Sequence, residues 1–199
     1  MKALISVCTG GEGIMPDVVA ALFRISQGYE SHLILPVDRP YESALNRAAK
    51  AFRESDCTHW LNIDSDNPPT CNPLDYMKDD FDVLAFPTPI SYRLPDGRVG
   101  LRWNFQADKD GTIIVVGTGC ILIAKRVLEV INPPFFRTYT DDGIVRKGPD
   151  VVFSELARSA GFALSIAPEA CDHYSKVNLR EWITNQSLSA VRGVAGPAQ

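Results

Sequence analysis

No stretch of this 199-residue sequence approaches the roughly 20 consecutive apolar residues of a membrane-spanning helix. The apolar run after Lys2 ends at Cys8, which is too short for the hydrophobic region of a signal peptide and predicts a first strand instead. The sequence also lacks a basic excess, because its formal net charge is −4. It therefore has no overall positive charge of the kind common in nucleic-acid-binding proteins, although a local basic face stays open.

Disulfide and zinc-finger patterns are absent as well. The five cysteines are odd in number, and no two of them form a C-x-x-C pair. Several of them stand in apolar surroundings, which indicates free thiols in a reducing compartment. The cysteine usage therefore predicts a cytoplasmic protein without a disulfide framework or a zinc site.

The composition that is present is that of an ordinary globular protein, with 45% hydrophobic and 22% charged residues. The length is enough for one sizeable core and does not require two. The sequence contains no internal repeat and no linker-like segment. We therefore predict a single domain over residues 1–190, followed by a flexible tail of small residues over 191–199.

Apolar runs and helical stripes alternate along the first half of the sequence. Strands are predicted at residues 3–8, 32–37, 56–63 and 82–86, and helices begin at Pro16 and Pro40. The second helix has the clearest core-facing stripe, formed by Tyr41, Ala44, Leu45, Ala48 and Phe52. Connections of this length permit parallel crossovers, so the pattern predicts an α/β fold with a doubly wound, mostly parallel sheet.

The second half is less regular. Residues 112–116 are predicted as a strand that continues through 121–124, followed by a helix over 125–131, a helix over 150–160 and a strand over 162–167. Residues 132–147 are predicted as a polar loop that contacts substrate or acts as a lid. A final helix is predicted over 177–190.

The predicted third strand runs into the sequence Asp64-Ser65-Asp66-Asn67-Pro68-Pro69. The two prolines force the chain to turn, so Asp64 and Asp66 lie at the C-terminal end of a strand. On extended backbone they point to the same side, where two carboxylates repel unless a cation lies beside them. Ligands bind at this end of strands in open α/β sheets. The alternative is a surface turn in which both carboxylates cap backbone N–H groups.

From about residue 3 to residue 176, the sequence resembles nucleotide-sugar glycosyltransferases of the GT-A fold, and in particular small stand-alone members similar to family 2 and to phage-encoded enzymes. The motifs that carry the resemblance are residues 44–48, the D-x-D segment 61–67, Gly117-Thr118-Gly119, residues 148–153 and His173. The resemblance implies a Rossmann-like GT-A fold with a mixed, mostly parallel sheet flanked by helices. The sequence departs from the family at Pro149, where a glutamate usually precedes the aspartate.

The resemblance also implies the parts of a donor site. A divalent metal would be bound by Asp64, Asp66 and His173, with Asp66 a direct ligand and Asp64 contacting ribose or a metal-bound water. An imidazole beside carboxylates favours Mn²⁺ over Mg²⁺. The residues implied to contact the donor are Thr9, Gly10, Gly11, Arg47, Asp64, Ser65 and Lys176. Plain alternatives are an ordinary hydrogen-bonded histidine at His173 and solvated side chains at Arg47 and Lys176.

Asp150 is the candidate general base. The dipole of the predicted helix that begins there favours its ionised form. With Asp150 as base, the reaction would be a single inverting displacement by an acceptor hydroxyl. The alternative is an ordinary acidic residue at a helix N-terminus.

The resulting functional hypothesis is metal-dependent transfer of a sugar from a nucleoside-diphosphate sugar, with a UDP-sugar preferred, to an acceptor hydroxyl. The acceptor is a saccharide or a hydroxylated base in phage DNA. Binding of DNA requires local positive charge, for which the candidates are Arg93, Arg98, Arg102, Arg137, Arg146 and Lys147. Two alternatives are a non-catalytic sugar-nucleotide-binding module and a nucleotidyltransferase. The latter is disfavoured because its phosphate loop is typically basic, whereas Thr9 to Gly13 contains Glu12 and no Lys or Arg.

Overall fold

The computed structural model of the chain describes residues 1–94 and 97–173. Its helices are α1 (Pro16–Ile25), α2 (Tyr41–Glu54), α3 (Lys125–Val130) and α4 (Pro149–Ser159), and a short 3₁₀ helix spans Pro73–Lys78. Its strands are β1 (Lys2–Cys8), β2 (Glu30–Ile34), β3 (His59–Asp64), β4 (Val83–Ala85), β5 (Pro89–Arg93), β6 (Val99–Trp103), β7 (Phe105–Ala107), β8 (Ile113–Val116), β9 (Cys120–Ala124), β10 (Tyr139–Asp141), β11 (Ile144–Lys147) and β12 (Leu164–Ile166). Lys176, the predicted final helix and the predicted tail lie outside the described residues.

Six strands form the central sheet in the order β12-β4-β9-β3-β1-β2. Five of them run parallel, and β9 runs antiparallel to its neighbours β3 and β4. Helices cover both faces of the sheet. The predicted α/β class, a mixed and mostly parallel sheet flanked by helices, is therefore confirmed.

The prediction that residues 112–124 form one continued strand is wrong. Gly117 to Gly119 separate β8, which pairs with β7 in a hairpin, from β9, which lies in the centre of the sheet. A side chain at Gly117 would collide with Asn104, whose Nδ2 lies 2.1 Å from the position a Cβ would take. The glycine thus allows the Asn104 side chain to pack directly against the backbone. An apolar run has no feature that distinguishes a parallel from an antiparallel buried strand.

Residues 132–147 are not the plain loop that the sequence predicted, because they contain the β10–β11 hairpin. The hairpin turns at Asp142 and Gly143, whose φ angles are 48° and 75°. Two consecutive positive φ values are typical of the tight turn that Asp-Gly favours. The Asp-Gly pair between two short β-prone segments was therefore a usable signal.

The second strand was predicted too late in the sequence. The structure places β2 at Glu30–Ile34, at the edge of the sheet, whereas residues 32–37 were expected. Leu35 and Val37 are more than half exposed, and Val37 contributes one isolated bridge to Thr9. Leu35 and Val37 gave the sequence the pattern of a buried strand although they are exposed, because an apolar side chain is not always buried.

Two apolar clusters fill the space between the sheet and its helices. On the face covered by α2, α3 and α4, the rings of Phe136 and Phe153 stack with centroids 4.8 Å apart, and Trp60 meets Phe136 edge-on at 5.9 Å. On the other face, α1 and the 3₁₀ helix cover a second cluster around Phe86. The predicted stripe of α2 faces the first cluster, with Tyr41 partly buried.

Asn46 on α2 holds the segment that contains Phe135 and Phe136. Its Oδ1 accepts the backbone N–H groups of Phe135 and Phe136 at 2.8 and 3.1 Å, and its Nδ2 donates to the Phe136 carbonyl at 2.7 Å. We expect Asn46→Ala to lower the free energy of unfolding by about 2–4 kcal/mol, because buried amide groups lose their partners. Denaturant unfolding measures this change. Lys50→Ala, one turn further on the exposed side, is the control and should change stability by less than about 0.5 kcal/mol.

Candidate functional site

The site is assembled at the edge of the sheet where the parallel strands end. Asp64 is the last residue of β3, the segment starting at Thr9 follows β1, and His173 follows β12. The loops after β1 and β2 are joined, since Thr9 N–H donates to Pro36 O and Asp38 N–H donates to Thr9 O. Residues distant in the sequence therefore converge because parallel strands share their carboxyl edge.

Asp64 lies in a polar pocket within the protein. Its Oδ1 accepts hydrogen bonds from the Tyr41 hydroxyl and from Asn62 Nδ2, the latter at 3.3 Å, and its backbone N–H donates to Gly119 O at 2.7 Å. Burial raises the pKa of the Asp64 carboxyl to about 6, against the effect of the Tyr41 hydrogen bond, and the negative charge of Asp66 raises it further. Burial likewise raises the pKa of the Tyr41 hydroxyl well above its ordinary value. A carboxyl with a raised pKa beside a second carboxylate is typical of a functional site.

A buried polar network supports Asp64 from behind. Ser6 Oγ donates to Asn62 Oδ1 and accepts from Trp60 Nε1, both at 2.8 Å. Asn62 Nδ2 donates to Thr118 O at 2.9 Å as well as to Asp64. This network fixes the Asn62 amide so that its Nδ2 lies between the Thr118 carbonyl and the Asp64 carboxylate. No pattern in the sequence indicated these contacts.

The Asp-Ser-Asp turn is tied to the segment that follows β12. Pro69 forms an antiparallel bridge with Cys171, and Asp172 N–H donates to Pro68 O at 3.1 Å. In the described ranges, neither Asp64 nor Asp66 uses its carboxylate to cap a backbone N–H group. The structure therefore does not contain the alternative, a surface turn in which the Asp64 and Asp66 carboxylates cap backbone N–H groups.

His173 lies beside Asp66, with its Nε2 3.6 Å from Asp66 Oδ2. The other ring nitrogen, Nδ1, lies 2.7 Å from Pro89 O. A carbonyl only accepts hydrogen bonds, so Nδ1 carries a proton and Nε2 faces the carboxylate. The neighbouring Asp66 carboxylate raises the pKa of His173 above its ordinary value, while burial opposes this effect. A neutral His173 therefore presents a lone pair beside Asp66, as metal-binding histidines do.

The predicted metal ligands come together in part. Ligands on one cation lie about 3.0–3.5 Å apart, so the 3.6 Å between Asp66 and His173 fits a shared ion. Asp64 does not complete a three-ligand cluster with them. Among residues 1–94 and 97–173, the group whose three ligand atoms all lie within 4.8 Å of one another is a different one, His32, Asp56 and Cys57.

A cavity of about 160 Å³ lies next to Asp64 and is lined by Cys8, Thr9, Gly10, Glu12, Tyr41, Asp64, Ser65 and Asp66. The structure thus brings together most of the predicted donor contacts. Gly11 follows with a φ of 101°, a conformation that favours glycine. The amides of this loop are already satisfied, because Gly10 N–H donates to Glu12 and Gly11 N–H donates to Thr9 Oγ1.

Arg47 is not among the residues that line this cavity, and its exposed guanidinium pairs with Asp38 at 2.8 Å. Arg39, which the sequence analysis did not consider, instead donates to Gly10 O and lies 3.9 Å from Glu12. The Oδ2 atom of Asp38 is buried and has no hydrogen-bond partner among the described residues. In the sequence, Asp38 and Arg39 directly follow the predicted second strand. Their position after a strand, beside the glycine loop, could have identified both residues as parts of the site.

Asp150 lies at the start of α4. This helix precedes the parallel strand β12, so its N-terminus lies toward the edge where β12 ends, the same edge as Asp64. Ser154 links α4 to the end of β8, because its Oγ donates to Asp150 O at 2.8 Å and accepts the Val116 N–H at 3.1 Å. Within the described ranges, no hydrogen bond or ion pair engages the Asp150 carboxylate, and none joins it to Asp66 or His173.

Comparison of the sequence with models of known protein families finds no match, and comparison with curated proteins finds none either. Among solved structures, A197 from STIV has a TM-score of 0.62 at 18% identity, over 88% of this chain and 87% of that one. The inositol-1-phosphate CTP transferase from T. maritima has a TM-score of 0.48 at 10% identity, over 92% and 94% of the two chains. CMP:2-keto-3-deoxy-manno-octonic acid synthetase has 0.46 at 11%, over 96% and 100%.

The likeness to A197 shows a shared α/β fold and nothing of activity, because the identity is low. The other two scores are too low to support an argument. None of the three names specifies glycosyl transfer, so the finer GT-A assignment is a proposal. In the described ranges, no helix has both the length and the apolar character needed to cross a bilayer.

Proposed function

We propose that the chain is a GT-A-type, metal-dependent glycosyltransferase that uses a nucleoside-diphosphate sugar, a UDP-sugar by preference. The observation that carries the proposal is the pairing of Asp66 with His173, whose Nδ1–H donates to Pro89 O so that Nε2 faces the carboxylate. This pair stands beside a cavity lined by Thr9, Gly10 and Asp64. Carboxylate and imidazole together suit a divalent cation such as Mn²⁺.

Each group of the site has a distinct task in this proposal. Asp66 and His173 would hold the cation, which would neutralise the charge that develops on the departing diphosphate. Asp64 uses Oδ1 for Tyr41 and Asn62, so its Oδ2 is available to a ribose hydroxyl. Ser65 and the loop at Gly10 line the same cavity and position the nucleotide. Arg39, with an exposed guanidinium beside the loop, adds positive charge for the phosphates.

Asp150 is proposed to take the proton of the acceptor hydroxyl. The acceptor oxygen then forms a bond to the anomeric carbon of the sugar while the bond from that carbon to the diphosphate breaks. One such displacement inverts the anomeric configuration. The position of Asp150 at a helix N-terminus supports its ionised form. Its placement on the same edge as Asp64 supports the role, which requires proximity to the acceptor.

A nucleotidyltransferase is the second candidate. It would need to hold a triphosphate on the loop after β1, typically through free backbone amides and a basic side chain. Here Glu12 accepts the Gly10 N–H at 2.9 Å, and Thr9 Oγ1 accepts the Gly11 N–H at 3.2 Å. An anion would have to displace a carboxylate, so these contacts favour glycosyl transfer.

A saccharide is the acceptor that the charges favour over a hydroxylated base in DNA. Two of the candidate basic residues are neutralised, since Arg146 lies 3.5 Å from Asp141 and Lys147 lies 2.6 Å from Glu155. Phosphate binding needs unpaired local positive charge.

A cytoplasmic location belongs to the same proposal, and it is supported by five unpaired cysteines.

The experiment follows the products of two reactions. The purified chain with Mn²⁺ receives UDP-glucose, UDP-N-acetylglucosamine or GDP-mannose, and separately UTP or CTP with a sugar 1-phosphate. Release of the nucleoside diphosphate in the first set supports glycosyl transfer. Release of pyrophosphate in the second set, with none of the first product, would establish the nucleotidyltransferase instead.

Replacing the proposed base separates chemistry from binding. We expect Asp150→Asn to lower the transfer rate by about 100-fold or more, because general-base catalysis contributes that much, and to leave nucleotide affinity within about twofold. Initial rates and calorimetric titration of UDP measure the two quantities. Asp142→Asn, in the exposed turn of the neighbouring hairpin, is the matched control and should retain the native rate. Equal rates for Asp150→Asn and the native chain would remove Asp150 from the mechanism.

A further inference from the structure

We propose that His32, Asp56 and Cys57 form a second metal site, which takes a thiophilic divalent ion of the Zn²⁺ type. One ligand atom from each residue lies within 4.8 Å of those of the other two. The three donors are an imidazole nitrogen, a carboxylate oxygen and a sulfur atom, a combination that suits Zn²⁺ better than Mg²⁺ or Ca²⁺. The site is independent of the proposed glycosyl transfer.

The position of these residues in the fold separates this site from the Asp66–His173 pair. His32 lies on the edge strand β2, where it pairs in register with Leu4 of β1. Asp56 and Cys57 lie in the connection that leads from α2 into the start of β3. Because β3 ends at Asp64, its start lies at the opposite end of the strands. The Asp66–His173 pair therefore lies where the parallel strands end, and the second site lies toward the end where β3 begins.

The burial of the three residues matches a site open on one side. Cys57 is fully buried, whereas His32 and Asp56 are exposed. The sulfur would thus lie at the base of the site, with the imidazole and the carboxylate at its rim. Ligands of a tetrahedral Zn²⁺ lie about 3.3–3.7 Å apart, so a small rotation of the exposed His32 side chain closes the geometry. Three protein ligands leave a fourth position for water.

Lys2 is the neighbouring cation that must be accommodated. Its ammonium group lies 2.8 Å from Asp56 Oδ2 and 3.3 Å from Glu30. A carboxylate has two oxygens, so one can stay with Lys2 while the other binds the metal. Lys2 then acts as an outer partner that orients the carboxylate, as hydrogen-bonded groups do around other metal sites. Glu30 adds negative charge close to Lys2 and reduces its repulsion of the metal.

Such a site would anchor one of the two edge strands of the central sheet. The strand β2 pairs with β1 on one side and forms the edge on the other. A metal bound by His32 and by the α2–β3 connection would join this edge to the interior. The spacing of the cysteines gave no indication of it, because its ligands come from separate elements and include a single cysteine.

Cobalt provides a direct test, because Co²⁺ replaces Zn²⁺ and its bond to a thiolate produces a charge-transfer absorption band in the near ultraviolet. The full chain, freed of metal with EDTA and dialysed, is titrated with CoCl₂. We expect a saturable band in the native chain, no band in Cys57→Ser, and at least a tenfold weaker Co²⁺ affinity in His32→Ala. Asp66→Ala and Cys71→Ser should keep the native band, which separates this site from the other edge and from the half-buried Cys71 thiol.

His32→Ala keeps the test decisive if Cys57→Ser does not fold, because His32 is exposed and its replacement leaves no cavity. Zn²⁺ should also raise the melting temperature of the native chain and not that of His32→Ala. The absence of a thiolate band at saturating Co²⁺ would overturn the proposal. A band of unchanged affinity in His32→Ala would do the same.

Discussion

Asp64→Asn is expected to make the metal-free protein more stable at pH 8 while it impairs donor binding. The pKa of the Asp64 carboxyl is raised to about 6 from 3.8, chiefly by burial. Folding therefore favours the protonated form, and the ionised form lowers stability. An asparagine side chain carries no charge, and its carbonyl oxygen can still accept hydrogen bonds from Tyr41 and Asn62.

The sign and the pH window follow from that raised pKa. Between the unfolded value near 4 and the folded value near 6, the folded state holds a proton that the unfolded state has lost. Stability therefore falls as the pH rises through this window, and the full penalty is present above it. A difference of two pKa units corresponds to about 2–3 kcal/mol, or about 5–10 °C in melting temperature for a chain of this size. In Asp64→Asn this contribution to the pH dependence should disappear.

Thermal and denaturant unfolding in EDTA between pH 4 and pH 8 measure the effect. Asp110→Asn, which replaces an exposed aspartate, is the control and should change stability by less than about 0.5 kcal/mol. A variant less stable than the native chain at pH 8 would show that Asp64 is not destabilised by its surroundings. A gain in stability together with weaker UDP binding would identify Asp64 as a residue retained for function at the expense of stability.

The sheet was largely predictable because its strands and helices carry strong patterns. The stripe on α2 and the strands at residues 3–8 and 82–86 were found close to their true positions. The antiparallel direction of the central strand β9 was not predicted. Strand direction depends on the path of the connecting chain, and the sequence pattern of a fully buried strand does not indicate that direction. The resemblance included Gly117, yet the need for a glycine there comes from Asn104, which only the fold brings close.

The site was predictable where its residues follow strand ends and unpredictable where it depends on register. The resemblance implied that Asp66 and His173 meet, and the fold brings them together because both follow strands of one parallel set. The Ser6–Asn62 contact, in contrast, requires that β1 pair with β3 and that these two residues be direct partners in the ladder. Arg47 was implied by the resemblance to contact the donor; its exposed guanidinium pairs with Asp38, and the donor contact stays a prediction.

The largest functional effect is expected at the Asp66–His173 pair. If both residues bind the same cation, Asp66→Asn should weaken Mn²⁺-dependent UDP affinity by about 100-fold or more, and His173→Ala by at least tenfold. The double variant should lose little beyond Asp66→Asn alone, because the second ligand has no function once the ion is gone. Binding of UDP without metal should be the same in all four proteins. Calorimetric titration with and without Mn²⁺ gives the complete cycle.

The matched control for this cycle is Asp172→Asn. It removes the same charge one residue from His173, at an exposed side chain, and leaves intact the backbone contacts that Asp172 makes with Pro68 and Asn67. Retained metal dependence in Asp172→Asn would exclude a general loss of negative charge as the cause. Strictly additive losses in the cycle would show that the two residues act on different parts of the ligand. Because the Nδ1–H contact with Pro89 already orients the imidazole toward Asp66, we expect strong non-additivity.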